Sequence, residues 1–110
     1  MKISGANQKP SIVFFGSGPV AAASLELLAD SFIIEAVVTK PRPPHHHGSV
    51  PILEVAEAHA FRIIEVSSKK EVSDKITAGQ FESDVAILID FGIIVSQDVI
   101  DAFPFGIVNS

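Results

Sequence analysis

The chain has 110 residues, 47% hydrophobic and 19% charged, a balance that supports a folded core and excludes a disordered segment. Its formal net charge of −5 gives no general nucleic-acid footprint, and without cysteine it has no disulfide framework, thiol nucleophile or sulfur-ligated zinc site. No apolar run approaches the ~18 residues that cross a bilayer, so a single cytoplasmic domain is expected.

Residues 1–10, Met1 to Pro10, lack the apolar centre of a signal peptide and are expected to form a flexible leader before a domain covering 11–110. The domain opens with Ser11-Ile12-Val13-Phe14-Phe15, an apolar run without polar alternation, as expected of a strand covered on both faces. Gly16 and Gly18 allow a tight turn, and Pro19 suits a first helical position. A helix over Pro19–Asp30 then places Ala21, Leu25 and Leu28 on one face.

Phe32–Thr39, rich in β-branched residues, predicts a second strand. The segment Lys40-Pro41-Arg42-Pro43-Pro44-His45-His46-His47-Gly48 is excluded from helix by its prolines and reads as the long loop. Ser49 is placed to cap a helix over Val50–His59 that turns Ile52, Val55 and Ala56 inward. Phe61–Val66 predicts a third strand. Ser68-Lys69-Lys70-Glu71 has the capping-box form and starts a helix carrying Val72 and Ile76, with Gly79 placed to end it.

Val85-Ala86-Ile87-Leu88-Ile89 is the most apolar run and predicts a central, doubly covered strand. Ser96 is placed to cap a short helix to about Ala102, and Phe103-Pro104-Phe105-Gly106 turns the chain into a last strand at Ile107-Val108-Asn109. Strands and helices alternate throughout, which predicts a doubly wound, mostly parallel α/β sheet with its first strand near the middle.

Four features bear on chemistry. Gly16-Ser17-Gly18-Pro19-Val20-Ala21 fits the dinucleotide pattern G-x-G-x-x-A, but where an acidic ribose partner belongs the chain has Thr39 and Lys40. A plain strand-to-helix turn, or one lining a different ligand, is the better reading. His45, His46 and His47 lie in an extended segment in which only His45 and His47 point the same way, with no acidic or cysteine partner near in sequence, so a solvated loop is favoured over a metal site. Asp90-Phe91-Gly92 spells the magnesium triplet of kinases without the motifs that accompany it. Its position counts for more: it follows the most apolar strand, where open α/β sheets bind ligands. Asn109 belongs at the same end of the last strand.

Taken together, Phe14-Phe15-Gly16-Ser17-Gly18-Pro19, the Ser24-Leu25-Glu26-Leu27-Leu28 helix, Val37-Val38-Thr39-Lys40-Pro41-Arg42-Pro43, Ser83-Asp84-Val85, Phe91-Gly92-Ile93-Ile94 and Phe105-Gly106-Ile107-Val108-Asn109 resemble, in order and spacing, the methionyl-tRNA formyltransferase family. The resemblance implies a Rossmann-like sheet forming part of a formyltransferase domain. It implies formyl transfer from 10-formyltetrahydrofolate to the amino group of methionine on initiator tRNA, without a metal. Asn109 corresponds to the family's catalytic Asn, and the family's His falls just after Ser110, so the chain alone is expected to be inactive. Phe91, Gly92, Ile93, Ile94 and Val95 correspond to the wall that holds the pterin through main-chain groups. Phe15, Gly16, Ser17, Lys40 and Arg42 fall on the substrate side, the two cations in a loop that approaches tRNA. An amino-sugar formyltransferase and a non-catalytic nucleotide-binding module are the alternatives. Self-association of an incomplete sheet is a further expectation.

Overall fold

The structure, a computed structural model, describes residues 9–110. Most of the expected leader therefore lies outside the described residues. Five strands, β1 (Ser11–Gly16), β2 (Ile33–Thr39), β3 (Ile63–Glu65), β4 (Val85–Ile89) and β5 (Ile107–Asn109), form one sheet in the order β3-β2-β1-β4-β5, with every pair parallel. Between them run α1 (Pro19–Leu28), α2 (Pro51–Ala58), α3 (Lys69–Gly79) and α4 (Gln97–Asp101). This is a Rossmann-like α/β fold, and β1 occupies the centre as its unbroken apolar run requires.

The period-two geometry of β1 splits the core in two. Ile12 and Phe14 face one side and pack with Ala21, Ala22 and Leu25 of α1 and Ile52, Leu53 and Ala56 of α2. Val13 and Phe15 face the other, against Val72 and Ile76 of α3, Val99 of α4, Phe91 and Phe103. Phe15 is the keystone of that side: its ring meets Phe91 edge-on at 5.5 Å and Phe103 at 6.2 Å between centroids. Each such buried aromatic contributes about 1.5–3 kcal/mol by removal from water.

Several boundaries depart from those expected. α2 starts at Pro51 with Val50 as its cap residue, because the residue before a proline is held extended. Ser49 is thereby displaced from the capping position, and Leu53 joins the buried face while Val55 is only half-buried. At α3 the expected cap is present: Ser68 Oγ accepts from Glu71 N at 3.1 Å, and Glu71 accepts from Ser67 N at 2.5 Å. Gly79 is the last helical residue and Gln80 takes the left-handed position at φ 52. Gly79 is needed for space, since a Cβ there would lie 2.5 Å from the Phe81 ring.

The expectation for β4 is also corrected. Only Ala86 is fully buried, whereas Val85, Ile87, Leu88 and Ile89 are partly exposed; the doubly covered strand is β1. Its side chains still join both core clusters: Val85, Ile87 and Ile89 pack against the α1 and α2 side, and Ala86 and Leu88 belong to the α3 and α4 side.

At the opposite end of the strands, the register of β1 and β2 slips between Ile12 and Val13, leaving Glu35 as an extra residue. Its carboxylate accepts the Glu82 and Ser83 N–H groups, both at 2.9 Å, and the Ser83 hydroxyl at 2.5 Å. Burial alone would raise its pKa; the Ser83 and Glu82 donors, helped by Arg62, outweigh this and hold it below its ordinary 4.5.

Candidate active site

The carboxyl ends of β1, β2, β4 and β5 open on the same rim, and the connections leaving them are joined by main-chain contacts. Ser17, in the turn after β1, donates its N–H to the Asp90 carbonyl at 3.1 Å and its hydroxyl to the Phe91 carbonyl at 2.9 Å. The β1 turn therefore positions the segment that follows β4. Asp90 enters that segment with φ 50, a conformation aspartate tolerates better than bulky residues, and Gly92 continues it with φ 82.

Beyond this bend, Gly92, Ile93, Ile94 and Val95 line an open cleft of about 510 Å³ together with Leu88 and Asn109. The β4–β5 register explains the grouping: Leu88 stands opposite Asn109, so both side chains leave the same face of the sheet. Leu88 was not singled out as a site residue from the sequence; its parity with Asn109 was the available signal. Phe91 lies elsewhere. It is 1% exposed and buried against Phe15, so it supports the cleft wall from behind.

The five substrate-side residues divide in the same way. Phe15 belongs to the core, and Gly16 lies where a Cβ would fall 2.7 Å from Ala21 Cβ and from the Ile89 carbonyl. Ser17 and Lys40 line a second cavity of about 290 Å³, whose other walls include Pro41, Pro43, His46 and Pro51. Arg42 donates to the Gly48 carbonyl at 2.5 Å, and His46 Nε2–H donates to the Ser49 carbonyl at 2.9 Å, so the long loop is folded back on itself. His46, the one expected to point away from its neighbours, is the tethered histidine. Among the described residues no group of three His, Cys, Asp or Glu side chains is placed to hold a metal ion.

The two cavities meet at one point. Lys40 crosses Gly92, its Nζ lying 2.8 Å from where a Cβ at Gly92 would be. At the start of α1 the Asp90 carboxylate lies over Gly18, in the space a Cβ of that residue would need. The helix N-terminus that a dinucleotide pyrophosphate would use is thus faced by a negative charge of the protein's own.

No protein-family model matches the chain. Individual proteins do. It is 31% identical over 103 residues to the methionyl-tRNA formyltransferase of Acetivibrio thermocellus, 31% over 103 residues to that of Chromohalobacter salexigens, and 30% over 102 residues to that of Mycoplasma genitalium. The chain is a sequence relative of the methionyl-tRNA formyltransferases. Each match takes in 89% of this chain and 32–33% of the other protein, so the chain spans about a third of the length of the formyltransferases it resembles. Among the described residues no helix is long and apolar enough to cross a membrane.

Proposed function

We propose that the protein carries the donor-binding part of a formyltransferase active site, acting on 10-formyltetrahydrofolate and, with the remaining catalytic groups, on the amino group of methionyl-tRNA. The observation that supports this most strongly is the cleft shared by Asn109 and Gly92–Val95. Its size falls within the ~300–1,000 Å³ typical of small-molecule sites. Its chemistry suits a flat heteroaromatic ring: Leu88, Ile93 and Val95 supply apolar walls, and Gly92 leaves main-chain groups accessible.

In this reading the pterin lies along the bend after β4, held by main-chain N–H and C=O groups. Asn109 Nδ2 donates to the formyl oxygen, which gains negative charge as the amine attacks the formyl carbon. A preorganised donor of this kind is worth about 10²–10³ in rate. Lys40 and Arg42 stand on the flank from which a nucleic-acid phosphate would approach, and two such contacts would be salt-sensitive.

The test has two arms. Titration with 5-formyltetrahydrofolate, followed by amide NMR, is expected to shift Leu88, Gly92–Val95 and Asn109, with NADP silent at the same concentration. Replacing the matching third of the A. thermocellus enzyme with this chain is expected to give a chimaera that formylates methionyl-tRNA, and Asn109→Ala in that chimaera to lower kcat by about 10²–10³. Folate-induced shifts confined to residues 40–51, or an Asn109→Ala chimaera as fast as its parent, would remove the basis for this reading.

A further inference from the structure

In a sheet of this strand order the general place for a ligand is the crevice between β1 and β4, where the connections leaving the two strands part toward opposite faces. α1, after β1, packs on the side of Ile12 and Phe14, whereas α4, after β4, packs on the side of Val13 and Phe15. The mouth of the crevice holds the start of α1, whose first turn has no side-chain cap and no acidic residue of its own. Its early N–H groups have no partner within the helix, an arrangement suited to the phosphates of a nucleotide.

The protein fills this place from within. The Asp90 carboxylate lies over Gly18, with Cγ 3.2 Å from where a Cβ of that residue would be and Oδ2 nearer still. Asp90 is directed there by its own backbone, at φ 50. Ser17, whose donors a phosphate-binding turn would offer to its ligand, is engaged in the same closure. Its N–H goes to the Asp90 carbonyl and its hydroxyl to the Phe91 carbonyl. Among the described residues the ion pairs join His59 to Glu26 and Lys70 to Asp74, so the charge of Asp90 is not neutralised by a paired cation.

We propose that Asp90 is a specificity-determining residue, a tethered anion that closes the β1–β4 crevice to phosphate-bearing ligands, nucleotides above all. The carboxylate takes the space in front of the first turn of α1, and its charge opposes a second anion arriving there. A substrate crossing this part of the rim must present a neutral or cationic group to the crevice, an amine for instance, and keep its phosphates elsewhere. The rejection combines bulk with charge, and substitution at Asp90 separates the two.

Amide NMR of the whole chain, titrated with inorganic pyrophosphate and with ADP, tests this in three variants. Asp90→Gly removes charge and bulk and Asp90→Asn removes charge alone, and both replacements tolerate a left-handed backbone. Asp84→Asn makes the same change in net charge just before β4, at the far end of that strand. In the parent the Gly18, Val20 and Ala21 amides are expected to stay in place with either probe. Asp90→Gly is expected to shift them and to bind pyrophosphate at least about tenfold more tightly than the parent, and Asp90→Asn to gain at least about threefold. Asp84→Asn should behave as the parent. A parent that binds pyrophosphate at the start of α1 as tightly as Asp90→Gly, Asp90 variants that gain nothing, or an equal gain in Asp84→Asn would overturn the proposal. Asp90→Asn keeps the size of the side chain, so the result does not hang on how Asp90→Gly folds. None of these outcomes depends on folate binding.

Discussion

At the β3 edge of the sheet, Ile63 packs against the α1 and α2 cluster on one face and Ile64 against α3 residues on the other. Lys75 Nζ donates to the outward-facing Glu65 carbonyl at 2.9 Å, and Arg62 lies 5.4 Å from the Phe81 ring. β5 carries the cleft instead: Asn109 lines it with Gly92–Val95, and Phe105 and Val108 stand exposed. A charged side chain covering an edge carbonyl is a common guard against unwanted pairing, and Lys75 supplies one at β3. The residues suited to binding chemistry, Asn109 and Gly92–Val95, are on the β4–β5 side. The lesson is a division of labour: β1 and β2 hold the most deeply buried residues of the sheet, and the β4–β5 half lines the cleft.

The largest effect is expected where the two halves are joined. Phe15→Ala removes the ring between Phe91 and Phe103 and should cost about 3–5 kcal/mol in denaturant unfolding. A loss below about 1 kcal/mol would show that the halves stand independently of this contact.

Next comes Glu35→Gln, at about 1–2 kcal/mol, since several donors to one carboxylate are lost or weakened. Because the folded-state pKa of Glu35 lies below 4.5, its contribution is present above that pH and is lost as pH falls through the folded value. Acid titration of stability should therefore be shallower in the variant, and an unchanged acid slope would deny Glu35 this role.

Gly18→Ala should cost about 1–3 kcal/mol by forcing the Asp90 carboxylate aside. Asp90→Gly in the same chain should relieve most of that cost, a coupling that a double-mutant cycle measures directly. Additive effects would mean that the two residues do not share this space.

The smallest change in stability, within about 0.5 kcal/mol, is expected for Lys75→Met. Its effect should appear in association: with the Glu65 carbonyl uncovered, sedimentation should detect concentration-dependent self-pairing through β3. A variant as monodisperse as the parent would show that the helices alone protect that edge.

The strand-helix alternation and the place of β1 were legible because each β1 residue contributes to one of two buried faces, and an uninterrupted apolar run is the local trace of that arrangement. Ser68 and Glu71 were legible because both halves of the capping box are written within four residues. Ser49 misled because a nearby proline restricts the backbone before it, a constraint that outranked the hydroxyl's capping preference. β4 misled for a different reason. Its apolar run reports that its side chains avoid water, and cannot report how completely the packed helices cover them. The place of Asn109 at the carboxyl end of β5 was legible from the turn and short apolar run before it. The burial of Phe91 was not, because Asp90 adopts a left-handed backbone conformation that rotates the following residue toward Phe15.

The crossing of Lys40 over Gly92 places the long Pro-rich loop and the bend after β4 in mechanical series. The end of one side chain bridges the gap, its Nζ and Cε lying 2.8 and 3.2 Å from where a Cβ at Gly92 would be. A molecule that settles on the bend meets this lysine, two residues before Arg42 in the loop. A ligand on the bend and one in the cavity beside Ser17 would therefore meet the same ammonium group.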